Sequence, residues 1–417
     1  MADISKYIPK GYKDSPLGII PKEWEVKRLG DLCYNQGDYG LNAPATDYSV
    51  DLPTYLRITD IDDNGKYIHF DKKSVDSIFA EDFYLKDGDI VFARTGATVG
   101  KTYLYDKRDG KLVYAGFLIK FSPNPTKLLS YYLKANTETQ NYKNWVSITS
   151  QRSGQPGINA TEFCSYRIAI PPIKEQEQIC TVLQLWDIAV EKQSELIEKL
   201  TLRKRALMQQ LLTGKKRLPG FRGEWKRYTY SDILKEVKRS LIWDEDKLYE
   251  LISVRRRSEG LFFRESLYGR EISTKNLRPA KTGDFLISKM QIVHGASGLV
   301  TEEFDNAKIS GSYIALVSKD ANTLDIKYFN LWSQMPIFYH QTFISSFGVH
   351  IEKMTFDLDT FMSFSMPLPP IKEQHSIVAI IESTNKEIEL ANEKLSNLQS
   401  QKRGLMQQLL TGKKRIN

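Results

Sequence analysis

The sequence predicts an α+β protein: two globular domains and two long antiparallel helices that form an intramolecular coiled coil, arranged as an internal pseudo-twofold repeat. Three observations predict it. The string PPIKEQ at 171–176 recurs at 369–374. KRALMQQLLTGKKR at 204–217 returns as KRGLMQQLLTGKKR at 402–415, at the same offset of 198 residues. The stretches that precede the two copies have drifted almost beyond recognition, so similar helices carry unlike domains. At 417 residues the chain is also too long for one ordinary core. The resulting division is an N-terminal segment 1–17, a first domain 18–170, a central helix 171–214, a second domain 215–368 and a C-terminal helix 369–417.

Each helix has a start, a seam and a stop. Prolines precede a first turn that holds Glu175 or Glu373, where a carboxylate meets the positive end of the helix dipole. Apolar residues then advance by fours and threes, as Ile179, Leu183, Trp186 and Val190, then Ile197, Leu200, Leu207 and Leu211. The second copy keeps the frame with Ile377, Ile381, Ile388 and Ala391, then Leu395, Leu398, Leu405 and Leu409. This is a sustained heptad seam, interrupted by Gln193, Thr384 and the equivalent pair Lys204 and Lys402; a polar seam residue fixes register at some cost in stability. Met208, Leu212, Met406 and Leu410 widen the apolar face, as core or as a surface for another subunit. Gly214 and Gly412 end the helices, and the Lys-Lys-Arg that follows suits the negative terminus. Each helix should span about 40 residues, or roughly 60 Å. A seam needs a partner, and the nearest is the other copy.

A common skeleton survives in the divergent domains. Each opens with Glu-Trp, at 23–24 and 224–225. Lys86-Asp87-Gly88-Asp89 leads into Ile90–Phe92, Arg94 and Gly100; Lys281-Thr282-Gly283-Asp284 leads into Phe285–Ile287, Lys289 and Gly295, all at an offset of 195. A Gly-Asp turn thus feeds a short strand that delivers a cation and then a glycine loop. Further strands are expected near 54–61, 112–121 and 166–170 and near 250–255 and 313–317, with helices over 127–136 and 325–334.

Cations, amides and aromatics then cluster in loops of both domains. In the first, Arg57, Arg94, Lys101, Lys143, Gln151 and Arg152 are candidate DNA contacts, with Thr95 and Gly96 in the glycine loop and Tyr142 and Trp145 nearby. In the second, Arg255, Arg256, Arg257 and Arg264 are joined by Lys275, Lys289 and Gln291. Arginine suits guanine edges and phosphates, glutamine suits adenine, and glycine lets backbone approach a phosphate. Taken singly, each is more simply a solvated charge; Arg94 and Lys289 stand apart because one slot is basic in both copies. A net charge of +8 favours a polyanionic partner without proving one.

Other chemistries find little support. ARTGATVGKT at 93–102 approaches the nucleotide-binding pattern GxxxxGK[ST], but position 95 is threonine, and the following TYLYDKRDGKLVY favours strand over the helix a phosphate cradle needs. A phosphotransferase using Lys101 and Thr102 is the enzymatic alternative. Adenine-methyltransferase (N/D)PP(Y/F), dinucleotide, GxSxG and HExxH motifs are missing, and His69, His294, His340, His350 and His375 have no ligand spacing. No catalytic residue and no metal site is expected. Cys33, Cys164 and Cys180 suggest neither a disulfide framework nor zinc, which fits a reducing cytosol. The start MADISKYIPKGYKDS has no leader pattern and no apolar run could span a bilayer, so a soluble, unsecreted protein is expected.

Together these residues resemble the specificity subunit of type I restriction-modification enzymes. The resemblance rests on GDIVFARTGATVGK at 88–101, QPGINATEF at 155–163 leading into IAIPPIKEQ at 168–176, PLPPIKEQ at 367–374, and LMQQLLTGKKR twice. In the second domain QPGIN has no clear counterpart beyond SSFGVHIEK at 345–353, and RTGATVGK becomes KMQIVHGA. The resemblance implies a non-catalytic, cytoplasmic, prokaryotic DNA reader. Each divergent domain would be a target recognition domain for one half of a bipartite, asymmetric duplex site, and the helices would set the gap. Two modification subunits would bring S-adenosylmethionine and the adenine methyltransferase site; two restriction subunits would bring ATP, Mg and cleavage. A type IIB-like assembly is a variant of this reading, and a two-headed DNA-binding adaptor without modification subunits is its rival.

Overall fold

The computed structural model describes residues 8–351 and 354–416. It divides into two compact units, one running to Ser194 and resuming at Lys394, the other spanning Glu195–Glu393. The long helices are Ile173–Leu212 and Ile371–Leu409, so each contributes one end to each unit. No helix among the described residues is long and apolar enough to cross a membrane, and no cluster of metal-ligating side chains occurs among them. The three cysteines are free, and burial pushes the thiols of Cys33 and Cys180 up to about 12.

The first unit holds two four-stranded sheets. One is ordered Leu112–Tyr114, Thr54–Leu56, Lys73–Ser74 and Thr46–Asp47, with its first pair parallel; the other is ordered Asp38–Tyr39, Leu118–Phe121, Ile90–Ala93 and Thr102–Leu104. The second unit repeats the latter sheet strand for strand as Leu234–Glu236, Tyr313–Ser318, Phe285–Ser288 and Ser297–Leu299. Its other sheet runs Leu261–Tyr268, Leu248–Val254, Lys308–Ser310 and Leu277–Pro279. The stretch expected as one strand over 112–121 is therefore two strands in two sheets, broken at Ala115-Gly116-Phe117. The strand expected over 54–61 stops at Leu56, where Arg57 and Asp60 close a 3₁₀ turn. Helices fall at Ser130–Thr137 and Ile326–Trp332; Gln140–Thr149 is a helix where a loop was expected, and Pro336–Ile344 is a further helix for which no element was expected.

The Gly-Asp turns are built alike. Gly88 and Gly283 sit at φ +87° and +90°, which favours glycine. Asp89 and Asp284 are buried and accept the backbone N–H of Lys86 and Lys281, each at 2.8 Å. The remaining oxygens accept from Ser122 Oγ in one unit and from Arg239 in the other. Buried apolar strands follow immediately, so the turn fixes where each strand begins.

Residues repeated in the helices close each unit through reciprocal clasps. In the first, Trp24 Nε1 donates to Glu175 Oε2 at 3.0 Å, and Arg415 donates to both oxygens of Glu175 and to Glu23. In the second, Trp225 Nε1 donates to Glu373 Oε2 at 3.3 Å, while Arg217 Nε and Nη2 grip the same carboxylate at 2.7 and 2.6 Å. Each glutamate starts one helix and its arginine follows the end of the other, which makes the pairing antiparallel within each unit. Beside it, fully buried Gln176 accepts from Leu129 N–H and donates to the carbonyls of Lys127 and Pro171, all at 3.0 Å. Gln374 does the same with Asp325, Thr323 and Pro369.

None of the seam residues is exposed. Ile179, Leu183, Leu211, Ile377, Ile381, Ala391 and Leu409 are buried; Trp186, Val190, Ile197, Leu200, Leu207, Ile388, Leu395, Leu398 and Leu405 are half-buried. At the helix ends, Ile179, Leu183 and Leu409 pack into the core of the first unit, and Leu211, Ile377 and Ile381 into that of the second. Met406 and Leu410 join the aromatic core of the first unit with Trp24 and Phe163, and Met208 and Leu212 that of the second with Tyr230 and Phe361. All four are core residues.

The two lysine interruptions differ. Lys402 Nζ lies 3.1 Å from Glu138 and 2.7 Å from Asp187. Burial lowers its pKa, but the two carboxylates outweigh that and raise it overall. At Lys204 the repeat substitutes Gln334 and Asn385 for those carboxylates, and burial lowers the pKa. Lys402→Met should cost about 1–2 kcal/mol, less than a fully buried pair because both acids are about a third exposed, whereas Lys204→Met should be neutral or stabilising. Thermal unfolding of the two variants measures the contrast; equal shifts would contradict it.

Candidate nucleic-acid interface

The Gly-Asp strands deliver Arg94 and Lys289 to the same place. Arg94 N–H donates to Phe117 O at 3.0 Å, and Lys289 N–H to Ser312 O at 2.9 Å, each across to the neighbouring strand connection. The Arg94 guanidinium lies over the rings of Tyr39 and Phe117, at 5.0 and 6.0 Å from their centroids, and both rings are exposed. Its buried Nε has no hydrogen-bond partner among the described residues. Stacking of this kind holds a guanidinium in one plane and leaves donors for a base edge or phosphate.

The loop after Arg94 is zipped to a second segment. Ile158 N–H donates to Arg94 O at 2.8 Å, Gly96 N–H to Pro156 O at 3.0 Å, and Thr95 pairs with Gly157. RTGATVGK and QPGIN thus form one site. Gly96 sits at φ +73°, a conformation that favours glycine, with Gln155 Nε2 the nearest side-chain atom to where a Cβ would lie. Its amide is engaged by Pro156 O, so the Gly96 N–H is not a free donor for a phosphate. Thr95 Oγ1 likewise faces Pro156 O at 3.4 Å. A 3₁₀ turn at Gly96–Thr98 and then strand Thr102–Leu104 follow, so no helix N-terminus is aimed at an anion, contrary to the nucleotide-binding alternative.

In the second unit Phe356 N–H donates to Lys289 O at 3.0 Å, where Ile158 meets Arg94. The counterpart of QPGIN is therefore centred on Phe356, just beyond SSFGVHIEK; Glu352 and Lys353 of that string lie outside the described residues. Asn159 and Asp357 then cap equivalent short helices.

The remaining candidates separate by their partners. Arg57 grips Asp60 with Nε at 2.9 Å and Nη2 at 2.6 Å; Lys101 meets Asp63 at 2.6 Å; Arg152 holds both oxygens of Glu162 at 2.6 Å. Arg264 pairs with Glu265 at 2.8 Å and lies on the strand Leu261–Tyr268 rather than in a loop; Lys275 pairs with Glu245. These five are each paired with a carboxylate of the chain, closely in the half-buried Arg57–Asp60 pair and at the surface in the others. By contrast, Arg94, Lys143, Lys289, Arg255 and Arg257 have no ion-pair partner among the described residues. Lys143 is on helix Gln140–Thr149, not in a loop, and is exposed, as is Gln151. Arg255, Arg256 and Arg257 are exposed at the hairpin joining Leu248–Val254 to Leu261–Tyr268, with Arg255 over Phe262 at 5.0 Å. Gln291 is half-buried, its Oε1 buried without a hydrogen-bond partner among the described residues. Sequence reasoning missed Tyr39 and Phe117, whose contact with Arg94 depends on non-local strand pairing.

Comparison with known proteins agrees with this architecture. The model of the type I restriction modification DNA specificity domain matches twice, at residues 21–202 and 224–400. A protein of Methanocaldococcus jannaschii, provisionally named the type I restriction enzyme MjaX specificity subunit, is 26% identical with 98% of both chains covered. The MjaVIII specificity subunit of the same organism is 22% identical, covering 98% of this chain and 97% of its own. Among solved structures, the type I restriction-modification S subunit from M. genitalium aligns with TM-score 0.55 at 12% identity, covering 93% of this chain and 96% of that one. A chain from a study of assembly and conformational transition in a type I system aligns with TM-score 0.56 at 16% identity, covering 94% and 99%. With the family model matched over both halves, the chain belongs to the type I restriction-modification DNA specificity family and is a specificity subunit of such systems.

Proposed function

We propose that each unit reads one half of a bipartite, asymmetric site in double-stranded DNA, and that the clasped helices fix the gap between the halves. One observation carries this reading: the strand-end slot holding Arg94 in one unit and Lys289 in the other is built by the same turn, strand and cross-connection, while its surroundings differ. Unlike surroundings around a common slot suit two different half-sites. Unpaired loop cations neutralise phosphates, and a smaller set of side chains meets base edges. The chain is non-catalytic in this reading and acts in the prokaryotic cytoplasm. Two modification subunits supply S-adenosylmethionine and the adenine methyltransferase site, and two restriction subunits supply ATP- and Mg-dependent cleavage.

Arg94→Ala should weaken DNA binding by the assembled methyltransferase about tenfold, within the range of about 1–3 kcal/mol for an arginine at a base edge. Fluorescence anisotropy with cognate duplex over a salt series measures it. Unchanged affinity and an unchanged salt slope would remove Arg94 from the interface.

A further inference from the structure

The second unit carries an arginine hairpin whose conformation is costly for its sequence. Arg255 N–H donates to Gly260 O at 2.9 Å, and Glu259 N–H to Arg256 O at 3.3 Å, so Arg257 and Ser258 are the central residues of the turn. Both have positive φ, +59° and +56°. A turn with two left-handed central residues ordinarily uses Asn-Gly, because other side chains are disfavoured there. Such strain persists only where surrounding structure holds it in place.

Three contacts hold it. Arg257 N–H donates to His294 O at 2.7 Å and Ser258 N–H to Gly295 O at 2.8 Å, both in the loop that begins at Lys289. The third is a 2.8 Å hydrogen bond between Ser258 Oγ and Tyr339 Oη, from helix Pro336–Ile344. Gly295 is at φ +75°, and a Cβ there would come within 2.3 Å of the Tyr339 hydroxyl. The glycine loop, the tyrosine and the arginine tip therefore interlock. In the first unit Tyr142 Oη instead donates to Gly100 O at 2.9 Å, and the hairpin residue Asp63 reaches the loop through Lys101. That hairpin presents carboxylates where the second presents arginines.

We propose that Tyr339 is a positioning residue that joins the Arg255–Arg257 tip to the Lys289–Gly295 loop as one rigid phosphate-contacting surface. The proposal rests on the DNA-reading function above. Glu259, exposed on the same tip, offsets one of the three charges, so a fixed arrangement matters more than net charge. A preorganised tip loses less conformational freedom on meeting DNA.

The test uses the assembled methyltransferase, cognate duplex and a salt series, with four forms: wild type, Arg255→Ala/Arg257→Ala, Tyr339→Phe, and the triple variant. The double arginine variant should lower the slope of log affinity against log salt by about two, roughly one per phosphate contact. Tyr339→Phe should weaken binding about three- to tenfold by loosening that same surface, with little change in melting temperature, and should add nothing in the arginine-less background. A full additional effect in the triple variant, or none in the single one, would overturn the positioning role. Unchanged affinity of the arginine variant would overturn the phosphate surface itself, and failure of the wild-type complex to bind any duplex would overturn the underlying reading.

Discussion

Glu373→Ala should lower the thermal unfolding midpoint of the chain by roughly 6–12 °C, equivalent to about 3 kcal/mol lost in the second unit. The Glu373 side chain is 1% exposed and accepts two bonds from Arg217 and one from Trp225. Truncation leaves an arginine and an indole N–H facing a small apolar gap at the junction of both helices. The arginine is 28% exposed and can turn partly to water, which keeps the loss near the lower end for broken buried pairs. Glu175→Ala, its counterpart, should cost less, because Arg415 retains Glu23 at 3.0 Å and is itself 37% exposed. Differential scanning calorimetry ranks the two. A larger shift for Glu175→Ala, or no shift for either, would contradict the clasp.

Gln374→Leu should be equally damaging for a different reason. The volume is nearly conserved, so packing alone predicts little loss. The amide, however, meets the N–H of Asp325 at 2.9 Å and the carbonyls of Thr323 and Pro369 at 2.8 and 2.9 Å, and it is fully buried. Three backbone groups lose their partner together, at about 1–3 kcal/mol for each that water cannot reach. We expect about 3–4 kcal/mol in total after relaxation, read as a shifted denaturation midpoint with unchanged slope. A shift below 1 kcal/mol would show that water reaches those groups and that the glutamine is not the tie between helix and domain.

These clasps show which parts of the fold were legible from sequence. The helix seam was, because periodicity is local: every named seam residue from Ile179 to Leu409 is at least half-buried. The roles of Glu175, Glu373 and the Lys-Lys-Arg tails were only half legible, since a helix dipole explains acid at one end and base at the other. That Arg415 pairs with Glu175, 240 residues away, is set by three-dimensional closure, which spacing does not encode. The strand expected over 112–121 failed for the same reason, because its first half pairs in parallel with Thr54–Leu56 and its second half antiparallel with Ile90–Ala93.

The shared setting of two candidate residues was legible where the repeat supplied a second observation. Arg94 and Lys289 coincide in backbone setting, as their shared offset implied. Cations chosen one by one fared differently: Arg57, Lys101 and Arg152 met Asp60, Asp63 and Glu162. A sequence shows that both charges exist but not that a fold brings them within 3 Å.

Methylome sequencing of a host expressing this chain with its modification subunit tests the central claim most directly. Two unlike half-sites separated by a fixed gap should appear, with Arg94→Ala degrading only one half, whereas Arg255→Ala/Arg257→Ala should lower the extent of methylation while leaving both half-sites unchanged. A single contiguous motif, or one half-site repeated in both positions, would contradict the account of two separate readers on one clasped pair of helices.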